Sequence, residues 1–382
     1  MSGPPPDLFA ALPEQYFTRI VTAAAAARAL PGPRLIDLGR GNPDLPPPPV
    51  ALEALKAELE TSGGMHGYPP FQGRAELCEA IAAHYRADHG VELDPAREVA
   101  VVPGTKTAIM LAVLACADAG QAVALPDPGY PDYLSAVALA RVRRVALPLD
   151  ATAGWQPDFD ALGDERPALA VLNYPSNPCA ACEAPGTFEA AVAWAHERGS
   201  WLLNDLAYAF LAFDGRRARS VLEVDGAREV AVELWSPSKV YGMAGWRVGF
   251  AVGNAEVVGR IRLLLDHLHA GVPVALQLGL VAALSGDQGH VAERFEVYRR
   301  RREVLVEGLG VEPPEGTFYA WWRLPDGLTT ERLLEQARVA VAPGEGFGSR
   351  GAGYARLSLA VDDDDLAEGV ARLAGAQRDA AA

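Results

Sequence analysis

Positive charge is in short supply: 34 lysine and arginine residues face 49 aspartates and glutamates, a formal net charge of −15 at pH 7. Nucleic acid and anionic membrane surfaces both require a basic face, so neither is expected as a partner. An anionic small molecule would instead have to meet a few cations gathered in a pocket. Long apolar runs are missing too, and none approaches the ~20 residues of a membrane span. The opening stretch MSGPPPDLFAALPEQ has neither the basic start nor the apolar core of a secretion signal. The cytoplasm is therefore the expected location. Cysteine is sparse, at Cys78, Cys116, Cys179 and Cys182. The Cys179-Ala-Ala-Cys182 spacing suits redox or zinc chemistry, but no second cysteine pair or histidine pair matches it, so no metal is expected.

What is present is a chain of 382 residues, half of them hydrophobic, long enough for two packed units. Between about residues 95 and 255, short apolar runs occur at Val99–Val102, Ala122–Leu125, Val145–Leu147, Leu169–Leu172, Trp201–Leu203, Val230–Trp235 and Val248–Val252. Helix-like stretches such as Thr105–Ala117 and Phe188–Arg198 separate most of them. That alternation predicts an α/β fold, a seven-stranded, mainly parallel sheet covered by helices on both faces. Beyond about 255 the pattern changes to long helices, one of them over Ala292–Gly308. Short strands follow near Gly316–Trp322, Val339–Val341 and Tyr354–Leu359, which predicts a smaller α+β unit. The expected division is an arm over 1–45 that joins the small unit, a large unit over 46–275 and the small unit over 276–382. Gln377–Ala382 reads as a frayed tail.

Ligands of a parallel α/β sheet collect at the carboxyl ends of its strands. There the chain delivers Gly104-Thr105-Lys106 at a helix start, Tyr130 between prolines, Asn177, Asp205 with Tyr208, and Lys239 after Ser236. Singly these are an N-cap, turn residues and surface charges. Together on one edge they fit a ligand with a phosphate, a flat ring, a ring hydroxyl, a basic ring nitrogen and an aldehyde. Pyridoxal phosphate has all five.

The stretches GRGNPDLPPPP, GYPPFQGRAELCEAI, PGTKTAI, PDPGYPDY, NYPSNP, NDLAYAFLAFDG, SPSKVYGMAGWRVGF and YARLSLA follow one another in order. The chain thereby resembles the fold-type I, class I/II aminotransferases that depend on pyridoxal phosphate, from about residue 35 to 360. Within that family it looks most like the diaminopimelate and broad amino-acid branches. The resemblance implies amino transfer between an α-amino acid and a 2-oxo acid by a ping-pong route, with glutamate and 2-oxoglutarate as one pair. Lys239 is implied to form the Schiff base and to shuttle the proton. Asp205 would keep the pyridine nitrogen protonated, and Tyr208 and Asn177 would hydrogen-bond the phenolic oxygen. Tyr130 would stack on the ring. Arg247, Ser236 and the Gly104-Thr105-Lys106 helix start would cradle the phosphate. Arg356, with Gly41 and Asn177, would hold the substrate carboxylate. Tyr68 would reach the phosphate of a neighbouring subunit, which implies a homodimer with shared sites.

The chain departs from the family at two points. Cys179-Ala180 stands where Thr-Gly is usual after Asn-Pro, and Leu265–Gly271 replaces a usual Lys-x-Asn-x-Asp-Ser-Gly. The candidates for reading the far end of a substrate are Arg40, His267 and His269, with the Phe17-Arg19-Ile20 arm and the Phe347 loop behind them. Gly344-Glu-Gly-Phe-Gly348 imitates a dinucleotide fingerprint without a βαβ unit around it and is set aside. A carbon–sulfur lyase would use the same lysine and acid and is the alternative reading. A non-catalytic regulator would need a DNA-binding domain, and only about 45 residues precede the matching region.

Overall fold

The computed structural model describes residues 7–61 and 66–381. The arm contributes a helix, Tyr16–Arg28, and a two-residue strand β1, Ile36–Asp37. The large sheet follows with β2 Val99–Val102, β3 Ala122–Asp127, β4 Arg143–Asp150, β5 Gln156–Pro157, β6 Leu169–Leu172, β7 Trp201–Asp205, β8 Ala231–Trp235 and β9 Gly249–Gly253. Their order across the sheet is β2-β9-β8-β7-β6-β3-β4-β5. Strands β3, β4, β6, β7 and β8 pair in parallel, while β9 is antiparallel to both of its neighbours. Seven strands were expected and eight form. The added β5 pairs antiparallel with β4 over two residues, too short to leave a hydrophobic period.

Continuous apolar runs suit these strands because both faces are covered. Val99 and Val101 enter one core beside Leu77, Ile81 and Phe188. Ala100 and Val102 enter the other, beside Ile109, Leu111 and Ile261. Successive side chains of a strand point to opposite faces, so a strand with two buried faces has no polar position to alternate with.

The smaller layer holds β10 Tyr319–Arg323, β11 Val339–Ala340, β12 Ala342–Pro343 and β13 Tyr354–Ser358. Strands β10, β13 and β12 form an antiparallel sheet, and β11 pairs in parallel with β1 of the arm. Helix Val274–Ser285 buries Leu280 and Ala283 in the core that holds Leu77 and Ile81. We therefore propose that the division between units falls after Ser285 rather than at 275.

The tail differs from expectation. Helix Asp363–Ala381 runs through the stretch read as frayed. Asp363, Asp364 and Asp365 sit in its first turn, where they complement the helix dipole. Leu366, Val370 and Leu373 are buried, with Ala376 and Ala380 packed against the same core. Alanine is the best helix former, so low complexity here marks a helix.

Candidate active site

A cleft of about 450 Å³ opens where the carboxyl ends of the parallel strands meet the arm and the small sheet. The topology explains who lines it. Tyr130 follows β3, Asn173 and Asn177 follow β6, Asp205 ends β7, and Lys239 lies in the short helix Pro237–Val240 after β8. Thr105 opens the helix after β2. The small sheet adds Tyr319 from β10 and Arg356 from β13, and the arm adds Gly41, Arg40 and one face of its helix.

Asp205 is 4% exposed. Its Oδ2 accepts the Tyr133 hydroxyl at 2.9 Å, and its backbone carbonyl accepts Asn173 Nδ2 at 2.6 Å. Its Oδ1 is buried without a hydrogen-bond partner in the chain. Burial pushes the carboxyl up to about 6, against the Tyr133 hydrogen bond and the Lys239 charge. A carboxylate oxygen left bare in a cleft is an acceptor waiting for a charged donor.

Lys239 is half-buried, and its Nζ donates to the Gly41 carbonyl at 3.2 Å. Burial holds its ammonium below the usual lysine range, and the Arg356 and Arg247 charges push the same way, opposed by Tyr319 and Asp205. The amine is thereby easier to deprotonate, which a nucleophile or a base requires.

At the other end, Gly104 caps the helix Thr105–Cys116 with φ +83, in a region where a side chain is strained. A Cβ there would overlap the Arg247 guanidinium. Arg247 itself has φ +51 and donates through Nη1 to the Ala244 carbonyl at 2.8 Å. Ser236 Oγ lies 2.7 Å from Ser238 Oγ and 3.2 Å from the Val248 carbonyl. A helix N-terminus, a bare glycine and a guanidinium make an anion cradle.

Arg356 is 1% exposed and has no carboxylate partner among the described residues. Nη1 donates to Asn177 Oδ1 at 2.8 Å and Nη2 to the Gly39 carbonyl at 3.1 Å, while Nε has no partner. The guanidinium carbon sits 3.9 Å from the Tyr319 ring centre and 4.9 Å from that of Phe347. A buried guanidinium held by neutral groups is a site for an incoming carboxylate.

Three residues escaped the sequence reading. Tyr133 orients Asp205, and Asn173 ties the ends of β6 and β7 together by also accepting the Asn177 amide at 2.8 Å. Both lie inside quoted motifs, three and four residues from residues that were named. Tyr319 accepts the Tyr208 hydroxyl at 3.3 Å, and its own hydroxyl fills the space a Cβ on Gly41 would take. Burial pushes the Tyr208 phenol well above its usual range. Burial also raises that of Tyr319, but Arg356, Lys239 and the Tyr208 hydrogen bond outweigh it and hold Tyr319 low.

Not every named residue reaches the cleft within one chain. The Lys106 side chain turns to Asp132 at 3.0 Å, leaving only its backbone amide at the helix start. Tyr68 is 88% exposed. His267 is exposed on the last turn of helix Ala255–Leu268, and His269 is its C-cap, with its N–H donating to the Leu265 carbonyl. Neither histidine lines the cleft. Arg40 does. The Gly344–Phe347 turn is no phosphate loop; it carries Phe347 against Arg356, and Asp127 holds its far end through Ser349 Oγ at 2.7 Å. Cys179 and Cys182 are buried thiols, and among the described residues no cluster could hold a metal. Ala180 adopts φ +56 where the family places glycine.

The fit to pyridoxal phosphate rests on three features of the chain: the bare Asp205 Oδ1, the cradle at Gly104 and the deprotonation-prone Lys239. Comparison with known proteins agrees. Residues 33–373 match the model of the family described as aminotransferase class I and II. The chain is 38% identical over 374 residues to an L-glutamine–4-(methylsulfanyl)-2-oxobutanoate aminotransferase of Bacillus subtilis, covering 95% of this chain and 94% of that one. It is also 38% identical over 375 residues to an LL-diaminopimelate aminotransferase of Dehalococcoides mccartyi, covering 95% and 96%. The substrate-bound structure of BacF from Bacillus subtilis superposes with a TM-score of 0.91 at 36% identity, over 99% of this chain and 98% of that one. The chain belongs to the class I and II aminotransferases, fold-type I enzymes that depend on pyridoxal phosphate.

Proposed function

We propose that this cleft moves an amino group between an α-amino acid and a 2-oxo acid, with glutamate and 2-oxoglutarate as one pair. The observation that carries the reading is the pairing, in one cleft, of a buried carboxylate oxygen without a partner and a lysine held below its usual range. When bound, the cofactor supplies an aldehyde that takes the amino group and a ring that takes up the electron pair released at the substrate Cα. Arg247, the Ser236 hydroxyl and the amides of Thr105 and Lys106 hold its phosphate at the Gly104 cradle. Asp205 Oδ1 would accept the hydrogen bond that the protonated ring nitrogen donates, with Tyr133 fixing the other oxygen. Tyr130 covers the ring face. Asn177, whose Oδ1 is taken by Arg356, turns its amide N–H₂ to the phenolic oxygen beside Tyr208. Arg356 holds the substrate carboxylate against Gly41. Lys239 Nζ, unprotonated, takes the proton from the substrate Cα and returns it on the other side of the transfer. Tyr68, exposed in one chain, serves the phosphate of a partner in a cytoplasmic homodimer. No helix among the described residues is long and apolar enough to cross a membrane.

The carbon–sulfur lyase alternative is not favoured, because the similar proteins are themselves aminotransferases. The chain contains only three lysines, Lys56, Lys106 and Lys239, which makes the test sharp. Borohydride reduction of the purified enzyme is expected to fix a pyridoxyl group on Lys239, read by peptide mass spectrometry. An adduct on Lys56 or Lys106 overturns the assignment. Amino donors are then screened against 2-oxoglutarate, pyruvate and oxaloacetate; release of free ammonia without an acceptor points to the lyase instead.

A further inference from the structure

Among the described residues, the wall of the cleft carries a single acidic side chain, Asp205, and three cationic ones, Lys239, Arg356 and Arg40. In the reading above Asp205 meets the ring nitrogen, Lys239 the aldehyde and Arg356 the substrate α-carboxylate. Arg40 is left over. It is exposed, and no carboxylate among the described residues pairs with it.

Its backbone is nonetheless well fixed. The preceding residue, Gly39, gives its carbonyl to Arg356 at 3.1 Å, and the following one, Gly41, gives its carbonyl to Lys239 Nζ at 3.2 Å. Arg40 thus springs from a segment held between the cation that grips the α-carboxylate and the amine at the reacting carbon. The same cleft is walled by the arm helix through Thr18, Ile20, Val21 and Thr22, none of which carries a charge. With no carboxylate partner among the described residues, the Arg40 guanidinium is open to an incoming anion or carbonyl oxygen beyond the α-carboxylate.

We propose that Arg40 selects substrates whose side chain ends in an oxygen acceptor: five-carbon amino and 2-oxo acids with a distal carboxylate, and more weakly those with a distal amide. This assignment rests on the proposed amino transfer and on Arg356 holding the α-carboxylate. A guanidinium meets a carboxylate with two parallel N–H···O bonds but an amide carbonyl with fewer, which sets that order. The apolar stretch of Ile20 and Val21 lets side chains without a distal oxygen enter with no gain from Arg40.

The test compares kcat/KM for glutamate and for leucine, with pyruvate as the common acceptor, in wild type, Arg40→Gln and Arg40→Glu. The glutamate-to-leucine ratio is expected to fall by about 10–100-fold in Arg40→Gln and further in Arg40→Glu. A ratio within twofold of wild type in both variants overturns the proposal. A measurement on wild type alone stands beside it: glutarate should inhibit leucine turnover at least ~10-fold more tightly than pentanoate. Equal inhibition by the two also overturns it. If wild type transfers no amino group from any donor, the underlying reading has failed instead, and the two failures are told apart.

Discussion

At Asp205, burial and chemistry pull in opposite directions. The folded carboxyl keeps its proton to about pH 6, against an ordinary value of 3.8. Between those values the native state binds more protons than the unfolded one, so the cofactor-free fold loses stability as pH rises from about 4 to 6 and lacks it above. The difference amounts to about 3 kcal/mol. Asp205→Asn is therefore expected to make the cofactor-free protein about 2–3 kcal/mol more resistant to denaturant at pH 8 and nearly neutral at pH 4. The same change should slow the single-turnover rate at least ~100-fold, because the ring nitrogen loses its charged partner. Equal stability of variant and parent at pH 8 would show that Oδ1 is not desolvated in solution. Tyr133→Phe isolates the supporting contact: losing the hydroxyl should raise the Asp205 value further and shift the acid limb of the pH–rate profile upward. These residues differed in how legible they were. Asp205 and Lys239 sit at strand ends, where an apolar run stops and a charge begins. Tyr133 and Tyr319 look like core aromatics in the chain, and only their hydroxyl partners in space mark them out.

Among the elements, the central strands were readable because each is an apolar run flanked by turn residues. The small sheet gave less away. Which faces of β10 and β13 turn to the cleft is decided by packing against the arm, and no local period records that. Helix ends carry a second kind of information. Helix Asp132–Ala140 closes with Arg141 at φ 56 and ψ 34, and the Val142 N–H returns to the Val137 carbonyl at 3.2 Å. This is the glycine-favouring end of a helix occupied by a β-carbon-bearing residue. Arg141→Gly is expected to raise stability by ~0.5–1 kcal/mol with turnover unchanged. Guanidinium denaturation checks it, and a loss of stability would mean the Arg141 side chain makes a contact that outweighs the backbone strain.

On the scale of the whole molecule, Tyr68 and its surroundings bear on assembly. Tyr68, Phe71, Leu263 and Leu268 are all exposed apolar side chains. The loop around Phe71 and the end of helix Ala255–Leu268 are joined by Gln72 Nε2 donating to Asp266 at 3.1 Å, so His267 and His269 stand at the same corner. Large aromatics and leucines gathered this way suit a subunit contact. If Tyr68 completes a neighbour's phosphate cradle, Tyr68→Phe chains should bind cofactor weakly. Mixing them with Lys239→Ala chains should restore tight binding at one site per heterodimer, the site pairing wild-type Lys239 with an intact Tyr68. A fully active monomer in sedimentation refutes the sharing. None of this was legible as a surface beforehand, since the sequence shows the residues but not which of them are left outside.

The parallel pairing of Ile36–Asp37 with Val339–Ala340 also orders events on the ribosome. The arm is made about 300 residues before its partner strand. At about 5–20 residues per second it waits on the order of 15–60 seconds with Leu35, Ile36 and Leu38 uncovered. Over about the last third of that wait, once Arg247 has been made, the nascent chain holds Lys239, Asp205 and the phosphate cradle but lacks Arg356 and the wall that the paired arm provides. It could take up cofactor before it could hold a substrate, so loading with vitamin and gaining activity become separable moments in the life of one polypeptide.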